Sequence, residues 1–554
     1  MLASSQSSHA DKADVDAEKA EYSAQVHVSP EHNDYKSHGL KRSLKPRHLT
    51  FISIGACIGT GIFLGIGSSL AKGGPLGLLM GFSLMCSVTI AVMLLVGEMV
   101  TFLPVPGGHI RLAGRFVDPA LSSAMGINYY LCWVLILAAE ISATAVLVTY
   151  WTTSISQAVW MSISLVVVLT LNLFGAKYYG EAEVWFASIK VVTMVGLIIL
   201  GIILSAGGGP SHKATGFQYW RNPGPFVQYL GIPGSTGRFL GFFAVLTQAA
   251  FSVIGTEMLA LAAAETKNPR KVLPQALRTV WIRIVVIYFM GSLVVGILVA
   301  SNNPRLGSSS TASASPYVIA IETAGIKALP SVINAAIITS ALSAASSDLF
   351  TTSRTLHSLA SQGHAPRIFS RTNRAGVPYV AVVFSWLFGC LAYLGVKSSA
   401  QNVFNFLVNL TALSGILTWL AIAITYLRFR RGMAAQGLKH EDLPWKSKLG
   451  YPAAIWVIFM VSVVTIFSGW EVFRPGHWDP SAFFSNYLPV VWFIVFYIGY
   501  KFYLKSKIVR ASEMDFVSDL DAILADERAG AAEDAMRPEP TTFFGKAMAV
   551  LSSI

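Results

Sequence analysis

Charge is the scarcest property of this sequence. Of its 554 residues, 53% are hydrophobic and only 13% are charged, whereas soluble globular proteins have roughly 25% charged residues. A soluble chain of this length would divide into several domains whose surfaces need charged side chains. The composition therefore excludes a large soluble protein. It favours membrane-spanning helices, since about 20 apolar residues cross the hydrocarbon core of a bilayer.

Cysteine is also scarce, and its placement excludes two further classes of protein. The four cysteines all fall inside long apolar runs, without the spacing of a disulfide framework or of a metal site: Cys57, Cys86, Cys132 and Cys390. The histidines have no ligand spacing either, so we expect no metal and no other cofactor. Outside the apolar runs we find no nucleophile–base pair and no phosphate-binding loop, and we therefore do not expect an enzyme.

The apolar runs predict an all-α polytopic membrane protein with twelve transmembrane helices. The predicted spans lie near residues 49–70, 76–103, 120–150, 157–174, 182–206, 239–264, 276–300, 328–353, 377–396, 402–427, 451–473 and 484–504. They divide the chain into a polar N-terminal tail that we expect to be disordered (1–44), a membrane domain (45–505) and a C-terminal tail (506–554). In the C-terminal tail, residues 513–524 have apolar side chains at helical spacing. This stretch lies either on the membrane or on the inner face of the protein.

The net charge of +12 is explained by topology rather than by nucleic-acid binding. Most lysines and arginines fall in the loops and span ends that face the cytoplasm if the N-terminus is inside. This is the positive-inside pattern of membrane proteins. We therefore predict that both termini are cytoplasmic, and we expect no nucleic-acid partner.

Two predicted spans contain residues that interrupt a helix in the middle of the membrane. Span 1 contains Gly59, Thr60 and Gly61, and span 6 contains Gly255 and Glu257. An interrupted helix exposes backbone N–H and C=O groups, which is tolerable where they line a cavity or bind a ligand. These groups suit the carboxylate and the ammonium of an α-amino acid. Helix packing through small residues is the alternative explanation.

The order of these spans indicates an internal repeat. Spans 1 and 6 are the first helices of two successive sets of five, as in inverted-repeat transporters that bind substrate between the repeats. The sequence thus predicts a substrate site at the two interruptions.

Several motifs resemble one family throughout the chain. The segments LKPRHLTFISIGACIGTGIFLG, GEMVTFLPVPGGHIRLAGRFVDPALSSAMGINYYL and GTEMLALAAAETKNPRKVLPQAL resemble the yeast amino acid transporter family. This family is the fungal branch of the amino acid–polyamine–organocation superfamily, and the similarity covers roughly residues 45–515. GRFLGF and SNNPRL look closest to the dicarboxylic and broad-range permeases.

The resemblance implies a LeuT-like fold, with two inverted repeats of five helices plus two further helices. It also implies alternating access and the import of amino acids with protons across a fungal plasma membrane. The amides of Thr60 and Gly61 match positions that hold the substrate carboxylate, and the carbonyls of Cys57 and Ile58 match positions that take the ammonium. Further positions carried over from the family lie on the broken sixth helix: Phe251, Ser252, Ile254 and Gly255.

Ionisable groups inside the membrane are costly and need a reason. By resemblance to proton-coupled relatives, Lys190 in span 5 takes the place of a sodium ion, with its ammonium bridging carbonyls of spans 1 and 8. It does so either by exchanging a proton or as a permanently charged strut. Glu257 carries the proton or is a fixed hydrogen-bond partner of the broken helix. Glu140 in span 3 faces the pocket or pairs with a neighbouring helix, and is a third candidate for coupling. We interpret Glu98 and Asp348 as gate or packing residues.

Polar residues in spans 8 and 10 line the cavity or bond helices together. They are Ser343, Ser346, Ser347, Asn409 and Thr411.

Two other functions share the predicted fold. One is an amino-acid sensor, and the other is a carrier of GABA, polyamines or choline. An acidic substrate would need a cation in the pocket, but Lys190 is assigned to coupling, so we expect a broad or neutral-plus-acidic range of amino acids. The expected partners are the amino acid, protons, the lipid bilayer, and ubiquitin or trafficking machinery on the tails.

Overall fold

The described part of the chain is helical. The computed structural model describes residues 51, 55, 58–262, 269–306 and 315–535, and the regular elements in this part are helices.

The first long helical segment, Gly61–Phe102, contains the second half of predicted span 1 and nearly all of predicted span 2. It begins with a π-helical turn, Gly61–Gly65, and continues as helix α1, Ile66–Phe102. Gly74 interrupts α1 with a φ of 75° and a ψ of 173°, a conformation that glycine adopts without a steric penalty. Pro75 follows and has no backbone N–H to continue the helix. Spans 1 and 2 are therefore separated by a kink at this pair.

The other helices follow in chain order. They are α2 (Gly108–Phe116), α3 (Pro119–Val148), α4 (Gln157–Leu173), α5 (Ala176–Ser205), α6 (Gln218–Arg221), α7 (Gly234–Val253), α8 (Met258–Ala262), α9 (Pro269–Arg283), α10 (Met290–Leu298), α11 (Pro316–Thr323), α12 (Leu329–Ser361), α13 (Tyr379–Gly389), α14 (Gly395–Ser398), α15 (Ala400–Ala435), α16 (Gly450–Phe467), α17 (Pro480–Leu504) and α18 (Leu520–Ala535).

The lengths of these helices agree with the predicted spans. In the described part, eight helical segments are long and apolar enough to cross a membrane, and one of them is the double segment Gly61–Phe102. Three shorter apolar helices, Gln157–Leu173, Val286–Leu298 and Tyr379–Leu394, fall at predicted spans 4, 7 and 9. Each of the twelve predicted spans thus has its helix, and the prediction of an all-α polytopic protein is confirmed.

Corresponding helices of the two predicted sets of five pack against each other. Helix α1, which holds the end of span 1 and most of span 2, contacts α7 of span 6 and α10 of span 7. Likewise α3 packs against α12, and α4 against α13, so that spans 3 and 4 meet spans 8 and 9. This packing of one set against the other is expected where a substrate site lies between two repeats. It places the two interrupted spans side by side.

The C-terminal segment folds back onto the membrane domain. Gln436 at the end of α15 donates to the carbonyl of Met514 at 2.8 Å. Met514 and Phe516 are buried, and the ring of Phe516 stacks on Phe116 of α2 at 5.1 Å. Helix α18 begins only at Leu520. Of the two positions expected for residues 513–524, the structure has the one on the protein's own surface.

The end of α17 is fixed to the beginning of α3 by Asp118. This residue caps α3 by accepting a hydrogen bond from the Ala120 N–H at 2.9 Å. It also accepts hydrogen bonds from Lys501 and Ser506. Burial favours the neutral carboxyl, but the hydrogen bonds from Lys501, Ser506 and Ala120 outweigh it and lower the pKa of Asp118 below its ordinary value.

Candidate functional site

Span 1 is interrupted at residues 58–60, which we call the first break. Ile58 and Gly59 form a bend, and the helix resumes at Thr60 and continues into the π-helical turn. The N–H and the hydroxyl of Thr60 donate to Glu140 Oε1 of α3 at 3.2 and 3.0 Å. The Ile58 carbonyl accepts from Ser340 of α12 at 3.1 Å. Two backbone groups at the first break, the Thr60 N–H and the Ile58 carbonyl, are therefore bound by side chains of other helices.

A third helix reaches span 1 just before the first break. The Nζ of Lys190 in α5 donates to the Gly55 carbonyl at 2.6 Å. This is the contact with span 1 that was expected of a lysine in place of a sodium ion.

Span 6 is interrupted at residues 254–257, which we call the second break. Helix α7 ends at Val253, and Ile254 is extended with a φ of −60° and a ψ of 146°. Gly255 follows with a φ of 109°, which requires glycine. Glu257 Oε2 accepts from the Gly255 N–H at 3.2 Å and from Trp419 Nε1 of α15 at 3.3 Å. The second break is thus capped by a carboxylate of its own segment.

The two interrupted spans touch each other beside the breaks, through Gly61 after the first break and Ser252 before the second. A Cβ added to Gly61 would lie 2.7 Å from Ser252 Oγ and 2.9 Å from Ser252 Cα. Both distances are shorter than a side chain can tolerate without displacing the backbone of the neighbouring helix. Only a residue without a Cβ allows the helices to approach this closely.

A small cavity lies between the breaks and helices α3 and α12. Its lining residues are Gly59, Gly61, Trp133, Ile136, Glu140, Phe251, Ser252, Ile254, Ala344 and Asp348. The enclosed space is about 20 Å³, enough for a water molecule. An amino acid therefore needs the surrounding helices or the Phe251 ring to move. This ring is buried and packs edge-on against Phe404 of α15, with the centroids 6.3 Å apart.

Most of the residues expected at the breaks lie at the cavity. Gly59, Gly61, Phe251, Ser252 and Ile254 line it. Ile58, Thr60 and Gly255 belong to the same backbone segments, whereas Cys57 lies outside the described residues. Their roles in binding stay predictions.

Two buried carboxylates also line the cavity, and each has one oxygen without a hydrogen bond in the described part of the chain. Glu140 uses Oε1 for Thr60, and its Oε2 has no hydrogen-bond partner there; the same holds for Oδ2 of Asp348. The sequence left two positions open for Glu140, facing the pocket or pairing with a neighbouring helix; in the structure it lines the cavity and also accepts from Thr60 of span 1. Asp348 was expected at a gate or in packing. Together the two carboxylates give the cavity an environment that attracts a proton or an ammonium group.

The polar residues of spans 8 and 10 that were expected at the cavity are not among the residues that line it. Ser343 bonds Glu183 of α5, Ser346 accepts from Asn172 of α4, and Ser347 accepts from Tyr179 of α5. Thr411 donates to a carbonyl of its own helix, and Asn409 is half-buried on the same helix. The three serines join helices to each other, which was the alternative left open by the sequence.

Sequence reasoning missed Glu183, a carboxylate buried to 1% exposure beside Lys190. Its Oε1 lies 3.9 Å from Lys190 Nζ. The signal was present, because the two residues are seven positions apart and therefore on one face of a helix. The apolar lining residues Trp133, Ile136 and Ala344 had no such signal, since they look like any other residues of a membrane helix.

Glu98 fixes helices together far from the breaks. Its carboxylate accepts from Tyr426 of α15 at 2.6 Å and from the Ser447 N–H at 2.7 Å. His440 Nε2 lies 3.3 Å from Glu98 Oε1, and Arg430 Nη1 lies 3.6 Å from Glu98 Oε2. This is a packing arrangement between α1, α15 and the segment that follows α15.

The comparisons with known proteins agree with this architecture. The family model described as "Amino acid permease" matches residues 48–513. A proline-specific permease of Emericella nidulans is 42% identical, covering 87% of this chain and 89% of its own length. A proline-specific permease of Saccharomyces cerevisiae is 39% identical, covering 93% and 83%, respectively. The dicarboxylic amino acid permease of the same yeast is 36% identical, covering 92% and 85%. From the matched length and these identities, this chain belongs to the amino acid permease family.

Proposed function

We propose that this protein is a secondary active transporter that imports amino acids across the plasma membrane by proton symport with alternating access. The observation that carries the proposal is the cavity between the two breaks. Gly59 and Gly61 expose backbone there for a substrate carboxylate, and Glu140 and Asp348 offer negative charge to an ammonium. These are the two groups that every α-amino acid shares.

The cavity also favours a class of side chain. Trp133, Ile136, Phe251 and Ile254 make its walls apolar, and the residues that line it include neither lysine nor arginine. An acidic side chain would face Glu140 and Asp348 without a compensating cation, which is unfavourable. We therefore infer a small neutral amino acid as the preferred substrate. Two of the relatives above are named proline-specific, which makes L-proline the first substrate to test.

Uptake of labelled amino acids in a permease-deficient yeast tests the proposal. We expect saturable uptake of proline or another small neutral amino acid that rises as the external pH falls. Choline and putrescine should compete weakly because they lack a carboxylate, and GABA because its two charged groups are not on one carbon. Glutamate should compete weakly because its side-chain carboxylate would face Glu140 and Asp348. Strong competition by an amine without a carboxylate would indicate a carrier of that class instead. Normal surface expression without uptake of any compound would indicate a sensor.

The orientation is tested separately. We expect both termini in the cytoplasm, because the lysines and arginines concentrate in the loops on that side. An epitope tag at either end should bind antibody only after the cells are permeabilised. Labelling of a terminal tag on intact cells would contradict this orientation.

A further inference from the structure

Helix α5 carries two buried ionisable groups that form a pair. Glu183 and Lys190 lie two helical turns apart on the same face, each 1% exposed, with Oε1 and Nζ 3.9 Å apart. An ammonium without a counter-charge is costly inside a membrane, and a carboxylate at this distance offsets much of that cost. The pair is therefore a stable unit within α5 rather than two independent charges.

Two other membrane segments hold this pair in place. The hydroxyl of Ser343 in α12 lies 2.8 and 2.9 Å from the two oxygens of Glu183. On the other side, the backbone of Gly55 in span 1 lies so close that a Cβ there would be 1.6 Å from Glu183 Oε1. The Gly55 carbonyl accepts the hydrogen bond from Lys190. The pair thus joins α5, α12 and the segment that leads into the first break.

The ionisable groups around the pair are few and mostly acidic. Asp348 of α12 and Glu140 of α3 interact electrostatically with Lys190. Tyr179 of α5 donates to Ser347 and interacts electrostatically with Glu183 of the pair and with Arg354 of α12. The sequences of α4 and α10, which also pack against α5, contain no ionisable residue.

We propose that Glu183 is the positioning residue of the proton-coupling site. Its carboxylate, oriented by Ser343, holds the Lys190 ammonium against the Gly55 carbonyl, so that the protonation of the pair controls the position of the first break. The proposal rests on the proposed function, since it names the residue that links proton binding to the substrate site.

The proton balance of this device involves one proton. When the proton from the outer solution is bound, Lys190 is an ammonium, Glu183 is a carboxylate, and the pair is neutral. Release of the proton to the cytoplasmic water leaves a neutral amine and a net charge of one negative unit on the pair. A neutral amine is a much weaker donor than an ammonium. The Gly55 carbonyl then loses its strongest partner, and the segment that leads into the first break is free to move.

The test uses the purified full-length protein in proteoliposomes and tritiated L-proline. Counterflow without a pH gradient measures binding and translocation, and accumulation under an imposed pH gradient measures coupling. We expect Glu183→Gln to retain counterflow, to lose accumulation above the equilibrium ratio, and to flatten the pH dependence of counterflow. The matched control is Glu181→Gln, because Glu181 is two residues earlier in α5, on a different face of the helix. This control should accumulate proline as the wild type does.

Two further variants separate positioning from folding. Ser343→Ala leaves both charges in place but removes the hydroxyl that orients Glu183, so it should lower accumulation while counterflow persists. The double variant Glu183→Gln/Lys190→Met removes both charges, which avoids a lone buried charge, and it should also exchange without accumulating.

Full accumulation by Glu183→Gln would overturn the proposal. Equal losses of counterflow and accumulation in both Glu183→Gln and Ser343→Ala would overturn it as well, because they would show a structural role only. If the wild type shows neither activity with proline or the other neutral amino acids, the proposed function fails instead.

Discussion

The two breaks differ in how their exposed backbone groups are satisfied. At the first break and the turn before it, α3, α5 and α12 each supply a partner, through Glu140, Lys190 and Ser340. At the second break, Glu257 caps the Gly255 N–H from within the same segment, and Trp419 adds one hydrogen bond. Both solutions meet the requirement that buried backbone groups be hydrogen-bonded.

The difference indicates a division of labour, in the sense that the two breaks have different roles in transport. Two of the three partners of the first break are ionisable, so a change in their protonation alters its support. The second break takes its cap, Glu257, from its own segment, so this hydrogen bond does not depend on the position of a neighbouring helix. We infer that the first break responds to proton binding, whereas the second break is a fixed wall of the substrate site.

The largest effect is expected where the two interrupted spans touch beside the breaks. Gly61→Val should abolish uptake while surface expression persists, because its Cβ would collide with the backbone of Ser252 and also occupy the space for the substrate carboxylate. The measurement is labelled proline uptake normalised to surface protein.

The matched control is Gly196→Val in α5, where an added Cβ meets no atom within 4 Å. This variant should transport normally. Normal uptake by Gly61→Val would remove the first break from the substrate site.

A smaller effect is expected at the first break when its charged partner is neutralised. Glu140→Gln retains an oxygen that accepts from Thr60 but loses the negative charge beside the cavity. Hydrogen bonds to charged groups contribute roughly 1.5–3 kcal/mol, so the KM for proline should rise by roughly 10- to 100-fold. Concentration-dependent uptake separates KM from the maximal rate, and an unchanged KM would place the substrate ammonium elsewhere.

The smallest effect is expected at the second break. Glu257→Gln preserves an acceptor for the Gly255 N–H and for Trp419, so exchange and proton-driven accumulation should both persist, reduced by no more than a few-fold. The stability lost should be about 1 kcal/mol, because a neutral amide oxygen is a weaker acceptor than a carboxylate. Thermal unfolding measures the change in stability, and paired assays of exchange and accumulation measure transport.

The alternative from the sequence, in which Glu257 carries the proton, makes a different prediction. In that case Glu257→Gln should keep exchange and lose accumulation. This outcome would reverse the division of labour between the two breaks.

Much of this molecule was accessible from its sequence. The apolar runs predicted the spans, and glycines next to Thr60 and Glu257 marked both interruptions, because such residues are avoided in the middle of ordinary membrane helices. The partners of the breaks were harder to predict. Ser340 and Ser346 are both serines of α12, yet one bonds the first break and the other bonds α4. Only the rotation of α12 about its axis distinguishes them.

What the sequence determined by itself is the class of protein, the number of spans and the positions of both breaks. These follow from hydrophobicity and backbone chemistry, which act within one segment. What only the tertiary structure decided is which charges meet. Glu183 joins Lys190 and Ser343, Asp348 reaches the cavity, and Glu257 turns back to its own helix. Such contacts join residues that are up to 160 positions apart in the chain, and they depend on how helices rotate and cross when they pack, which no local pattern specifies.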